Sequence, residues 1–257
     1  MPVEGSEWAV RFGLLIISCG ALRSAIWLVN RFRSGPSHSG EGLKLPLSFA
    51  PKWTDCWLLF GLCGLTLLLV PFLVPVVGLL AGIVTLVRRG VPVNDLWQLR
   101  WLETGRYLKE GFSLYLLIVV PLSALAALSM VLVRFVGVEP TAQPLIEVFL
   151  ELEDPWQVIQ IVFLAVVIAP VWEEVFFRGI CYPLFRGVRD RAFGLVATSL
   201  LFGLAHGHGP SLVPLTFLGL VLAVVYERTG KLGICIALHA VFNLGTATTL
   251  CLVKYAP

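Results

Sequence analysis

The sequence predicts an all-α fold, a polytopic transmembrane bundle of about seven or eight helices, and three observations carry that prediction. Apolar residues make up 58% of the 257 residues and charged residues only 14%, with a mean hydropathy of +0.88, well above the composition of soluble domains. The apolar residues fall in runs long enough to cross a hydrocarbon core, which takes about 20 residues of helix. Lys and Arg gather near the ends of those runs, as the positive-inside rule requires. The net charge of +3 includes no long basic run of the kind that binds nucleic acid, which is not an expected partner. One bundle uses the whole chain, so a single membrane domain over residues 1–257 is expected, with N-terminal accessory spans and an interfacial segment over 1–110.

Residues 9–29 form the first expected span, with Arg11 and Arg23 able to snorkel or face the bundle. It follows Glu4 and Glu7 rather than a basic stretch, and no small-residue cleavage site stands out, so it is expected to stay as an anchor. Residues 31–55 mix Arg31, Arg33, Lys44 and Lys52 with Ser, Gly and Pro, a polar loop in which His38 reads as a solvated residue. The run 56–87 would measure about 48 Å as one straight helix, too long for one crossing, and Pro71 and Pro75 break it. It is either a strongly bent helix or a tight pair of short passes. Basic flanks on both sides favour an even number of crossings.

Residues 93–110 interleave Trp97, Trp101 and Tyr107 with Arg100, Arg106 and Lys109, a pattern suited to a helix in the headgroup layer. A span over 112–136 follows, then an acidic stretch with Glu139, Glu147, Glu151, Glu153 and Asp154 and no Lys or Arg, expected on the outer side. A helix from near Trp156 to about Phe185 leads to Arg186, Arg189 and Arg191. Spans over 192–207 and 211–226, joined by a His208-Gly209-Pro210 turn, lead to Glu227-Arg228-Thr229-Gly230-Lys231 and a last span. The six cysteines, Cys19, Cys56, Cys63, Cys181, Cys235 and Cys251, show no Cys-x-x-Cys spacing and read as buried thiols.

The last spans hold the residues that need a reason. Glu173 and Glu174 sit inside an apolar segment, and an acid within a membrane helix costs about 2.5 to 3.5 kcal/mol on insertion scales. Glu174 and Arg178 are four apart, the spacing for a pair on one helix face. Glu173 has no such partner. Counted at the helical rise, Glu173, His206 and Asn243 lie about 18 to 22 Å from the basic ends of their helices, and His239 shares a helix face with Asn243. Lipid solvates none of these groups, so they must face one another. The arrangement suits a hydrogen-bond network that fixes packing, a carboxylate and His partners that activate water, or a divalent metal such as zinc, with Glu173, His206 and His239 as candidate ligands. No His-Glu-x-x-His helix is present.

Glu173-Glu174-x-x-Phe177-Arg178-Gly179, Phe202-x-x-x-His206 and His239-x-x-x-Asn243, in that order, resemble the motifs of the CPBP intramembrane proteases. That family joins the type II CAAX prenyl endopeptidases to bacteriocin-processing and immunity-associated, Abi-like proteins. The resemblance covers roughly residues 157–252, the motif-bearing core, and includes Tyr226-Glu227-Arg228-Thr229-Gly230. It implies that Glu173 and His206 activate the attacking water, that His239 and Asn243 stabilise the oxyanion, and that Glu174 and Arg178 support them. The family carries the name metalloprotease, yet the same residues also fit a metal-free glutamate mechanism.

The function expected is therefore an intramembrane endopeptidase acting on a peptide or protein substrate, lipidated or not, delivered through the bilayer. The bacterial cytoplasmic membrane is the expected location. A catalytically silent scaffold or immunity-type protein is the alternative, and a proton-coupled transporter, which would show internal repeats, is a third. The cavity is expected to open toward the side of Arg186, Arg189, Arg191, Arg228 and Lys231.

Overall fold

The computed structural model describes residues 42–46, 49–69, 73–91, 97, 99–137, 139 and 141–255. The expected span over 9–29, with Arg11, Arg23, His38 and also Pro71, lies outside the described residues. The described residues form helices and no strand: α1 (Trp53–Leu69), α2 (Val74–Arg88), α3 (Thr104–Phe135), α4 (Pro144–Glu151), α5 (Pro155–Val188), α6 (Arg191–Ala205), α7 (Gly209–Thr229) and α8 (Leu232–Tyr255). Of these, α3, α5, α7 and α8 are long and apolar enough to cross a membrane.

The described part of the run 56–87 forms two helices, not one. α1 and α2 pack on each other, and a 2.8 Å ion pair from Arg89 to Asp55 joins the start of one to the end of the other. Pro75 stands in the first turn of α2, where its missing N–H costs nothing. Residues 93–96 and 98 of the interfacial helix expected over 93–110 lie outside the described residues; in its later part Trp101–Glu103 form one 3₁₀ turn and Thr104 opens a continuous 32-residue helix. No proline interrupts residues 104–120, and tertiary packing holds the amphipathic start. Tyr107 is buried against Gly233, while a Cβ on Gly111 would stand 2.6 Å from the Leu238 nitrogen. Glycine on each helix thus lets α3 and α8 approach closely.

The acidic stretch contains a helix that its charge obscured. α4 buries Phe149, and Lys254 at the end of α8 donates to the carbonyls of Phe149 and Leu150 at 3.1 and 2.7 Å. Those carbonyls are among the last of α4, which have no partner of their own. Asp154 and Asp190 cap α5 and α6 through the N–H groups of Trp156 and Phe193, and Gly230 ends α7 at φ 65°.

The centre of the bundle is α7, whose apolar window is 56% buried within the protein, against 17 to 22% for the other three long helices. At its basic end Glu227 accepts from Tyr182 Oη at 2.7 Å and pairs with Arg186 and Arg191 at 3.1 and 3.3 Å. The segment before α1 joins this knot, since Leu43 N–H donates to Glu227 O and Arg186 donates to Leu43 O. The ends of α5, α6 and α7 are thereby fixed together, which sets the relative height of the polar residues further along them.

Candidate active site

The backbone ladder of α5 is loosened twice around the two acids. Ala169 N–H reaches back five residues to Leu164 O, and Tyr182 N–H does the same to Phe177 O. Each of these donors precedes a proline, Pro170 or Pro183, which has no N–H to offer. These are π-bulges, wide turns that recur at functional sites. Glu173 and Glu174 lie on the short α-helical stretch between them.

One half of the polar set is bonded within itself, although Glu174 Oε2 and Arg178 Nε are buried without a partner among the described residues. Arg178 and Glu174 are fully buried and pair at 2.9 Å through Nη1 and Oε1, at the spacing the sequence predicted. Arg178 Nη2 also donates to Gly219 O at 3.0 Å, and its guanidinium lies 4.6 Å from the centre of the Phe202 ring. His239, almost fully buried, places Nδ1 at 2.9 Å from the same Glu174 oxygen. A carboxylate only accepts, so Nδ1 carries the proton and donates.

The other half is open. Glu173 Oε2 is buried and accepts no hydrogen bond from the described residues. Two imidazole nitrogens face it: His206 Nε2 at 3.8 Å and His239 Nε2 at 3.9 Å. His206 terminates α6 and donates Nδ1–H to Phe202 O at 2.8 Å. That bond fixes its tautomer, so a neutral His206 presents a lone pair at Nε2. Phe202 lies between the two rings, its centre 5.0 Å from His206 and 5.7 Å from His239. Asn243, one turn after His239, donates Nδ2–H to Ala165 O at 2.7 Å. Sequence reasoning missed that acceptor and the Gly219 carbonyl, although Pro170 marks the first.

Glu173, His206, His239 and Asn243 all line one cavity of about 570 Å³. Its remaining lining does not include Arg186, Arg189, Arg191, Arg228 or Lys231; it runs instead to Gln143, Phe149, Ser211 and Leu250. The expected opening toward the basic ends is therefore corrected: the cavity extends toward the opposite side, under α4. On that side Gln143 donates to Ser211 Oγ at 2.7 Å, Ser211 contacts His208 Nδ1 at 2.7 Å, and His208 Nε2 meets Thr141 O at 2.9 Å. His208 is thus part of the turn's own bonding. The physical reason is α4, whose Leu145, Ile146 and Phe149 line the cavity on that side.

The donor types at Glu173, His206 and His239 are those of a zinc site, but their spacing is not. Donors about 2.0 to 2.1 Å from a tetrahedral zinc stand about 3.3 Å from one another, nearer than the 3.8 and 3.9 Å found here. Among the described residues no group of three or more His, Cys, Asp or Glu is arranged to hold a metal ion.

Residues 155–245 match the family described as type II CAAX prenyl endopeptidase, Rce1-like. The match runs from the first turn of α5 to just past Asn243, so it encloses every residue of the site. No curated protein matches, and no solved structure does.

Proposed function

We propose that this chain, an integral membrane protein whose residues 155–245 form an Rce1-like type II CAAX prenyl endopeptidase domain of the CPBP family, is an intramembrane endopeptidase that works through Glu173. The observation that carries the reading is the buried, unpartnered Oε2 of Glu173 facing two imidazole nitrogens.

A water held by Glu173 Oε2 and His206 Nε2 loses a proton to the carboxylate as its oxygen attacks the scissile carbonyl carbon. The carbonyl oxygen becomes an oxyanion, which needs fixed donors. Asn243 has a second amide hydrogen beyond the one given to Ala165 O. His239 supplies another only as an imidazolium, because its Nδ1–H already goes to Glu174. Glu174 and Arg178 are thus supporting residues, with Glu174 holding His239 in place. As the C–N bond breaks, Glu173 returns its proton to the amine, leaving one product with a new carboxylate and one with a new amino terminus.

The substrate class follows from access. The cavity is lined by apolar side chains such as Val119, Leu145, Phe149 and Ile161 together with the polar site, which suits a peptide tethered to the bilayer, lipidated or not. The bacterial cytoplasmic membrane is the setting we favour. The test uses two internally quenched peptides ending in a CaaX sequence, one farnesylated on its cysteine and one not, together with a search for new C-termini in membranes of expressing cells. Glu173→Gln is expected to abolish cleavage, a loss of about a hundredfold or more, with the thermal midpoint kept. A scaffold would retain its function with this near-isosteric change, and undiminished cleavage by Glu173→Gln would remove the mechanism.

A further inference from the structure

We infer that Pro170 is a positioning residue for Asn243, acting through the carbonyl of Ala165. In a regular α-helix Ala165 O would accept from residue 169, and in a π turn from residue 170. The Ala169 N–H is committed to Leu164 O, and residue 170 is a proline with no N–H. The carbonyl of Ala165 is left without a donor from its own helix. A backbone acceptor inside a membrane bundle needs one, because lipid supplies none.

Asn243 provides it, at 2.7 Å from a different helix. A primary amide has two N–H donors, so anchoring one to a rigid backbone oxygen fixes the plane of the group and aims the other. Ala165 and Asn243 both line the cavity with Glu173, His206 and His239, whereas Pro170 is buried and is not part of the lining. Pro170 therefore acts at a distance, by withholding a hydrogen bond. Pro183 offers a matched comparison, since it follows the second bulge in the same way but shares no acceptor with Asn243.

The inference rests on the protease reading only for its kinetic part, and the experiment separates the two. Thermal unfolding of the full chain in detergent micelles is measured for Asn243→Ala, Pro170→Ala, Pro183→Ala and the doubles Pro170→Ala/Asn243→Ala and Pro183→Ala/Asn243→Ala. Asn243→Ala is expected to lower Tm, because it strands the Ala165 carbonyl. In the Pro170→Ala background residue 170 has an N–H, so adding Asn243→Ala is expected to cost little further. In the Pro183→Ala background its full cost remains. Pro170→Ser, which also restores an N–H, replaces Pro170→Ala if that variant does not fold. On the farnesylated peptide, Pro170→Ala is expected to lower kcat by about tenfold to a hundredfold, as misplacement of a catalytic group does, with KM changed by less than about twofold. Losses in Tm that simply add, or an unchanged kcat in Pro170→Ala, overturn the inference. Coupling in a wild-type protein that cleaves neither peptide nor any membrane protein keeps the anchor and removes the protease reading; cleavage without coupling does the reverse.

Discussion

Replacing Arg178 by leucine is expected to destabilise the protein strongly, and replacing Glu174 along with it is expected to restore most of the loss without restoring activity. Arg178 is fully buried, and it satisfies both Glu174 and the Gly219 carbonyl while stacking on Phe202. Arg178→Leu leaves a buried carboxylate with only His239 beside it. Breaking a buried pair from one side costs about 3 to 5 kcal/mol, or roughly two to three and a half orders of magnitude in the folding equilibrium. Arg178→Leu/Glu174→Leu removes both charges, and apolar replacements of whole buried pairs are often neutral. The Gly219 carbonyl stays without its donor, so recovery falls short of complete by about 1 to 3 kcal/mol.

The assay is thermal unfolding in detergent micelles followed by tryptophan fluorescence, run beside cleavage of the farnesylated peptide. The expected order of Tm is wild type, then the double variant, then Arg178→Leu. Cleavage is expected to be lost in both variants, in the double because His239 no longer has Glu174 Oε1 at 2.9 Å to hold it. A double variant no more stable than Arg178→Leu would refute the pairing argument. An active double variant would refute the role given to Glu174. Arg178→Leu that folds with an unchanged midpoint yet fails to cleave would move Arg178 from support into the chemistry.

Two further outcomes are expected. Single cysteines at Glu153 and Arg189, both exposed, are to be labelled in intact cells with a membrane-impermeant thiol reagent; modification at residue 153 and not at 189 is expected, and the reverse would place the cavity's mouth on the cytoplasmic side. Dialysis against EDTA and 1,10-phenanthroline is expected to leave peptide cleavage unchanged, because the donors around Glu173 stand 3.8 and 3.9 Å apart; a loss restored by added zinc would show that they close around an ion and would make His239 a ligand in place of an oxyanion donor.

The long helices were legible because hydropathy and caps agree. Asp154, Asp190 and Gly230 mark ends that the structure places within a few residues of the expected ones. The four-residue spacing of Glu174 and Arg178 also gave their pair directly. Three features were not legible. The acids of 139–154 hide a helix whose one buried side chain, Phe149, is held by Lys254 from the far end of the chain, a contact no local pattern contains. The start of α3 carries an interfacial pattern but is captured by α8 through Gly111 and Gly233. The split of the polar set into a bonded half and an open half depends on rotation about α5, which the two bulges alter and a uniform helical period does not describe.

That split also weighs against a purely structural role for the site. A network kept for packing lowers its free energy by satisfying every buried group, since an unpaired buried polar atom costs about 1 to 3 kcal/mol. Arg178, Glu174 and His239 follow this rule in part, through bonds of 2.9 to 3.0 Å, although Glu174 Oε2 and Arg178 Nε are buried without a partner among the described residues. Asn243 follows it too, against a carbonyl that Pro170 leaves without a helical donor. Glu173 departs from it too: with Nδ1 of His206 and of His239 already donating, the neutral rings turn Nε2 lone pairs toward Glu173 Oε2 at 3.8 and 3.9 Å and offer it no hydrogen. His206 Nδ1 is instead tied to Phe202 O, which keeps the ring's lone pair turned toward the gap. Of the two buried carboxylate oxygens without a partner among the described residues, on Glu173 and Glu174, only the Glu173 side chain lines the cavity of about 570 Å³, so it is the one a molecule entering that cavity can reach. A water is far smaller than this cavity, which leaves room beside Glu173 for a segment of peptide.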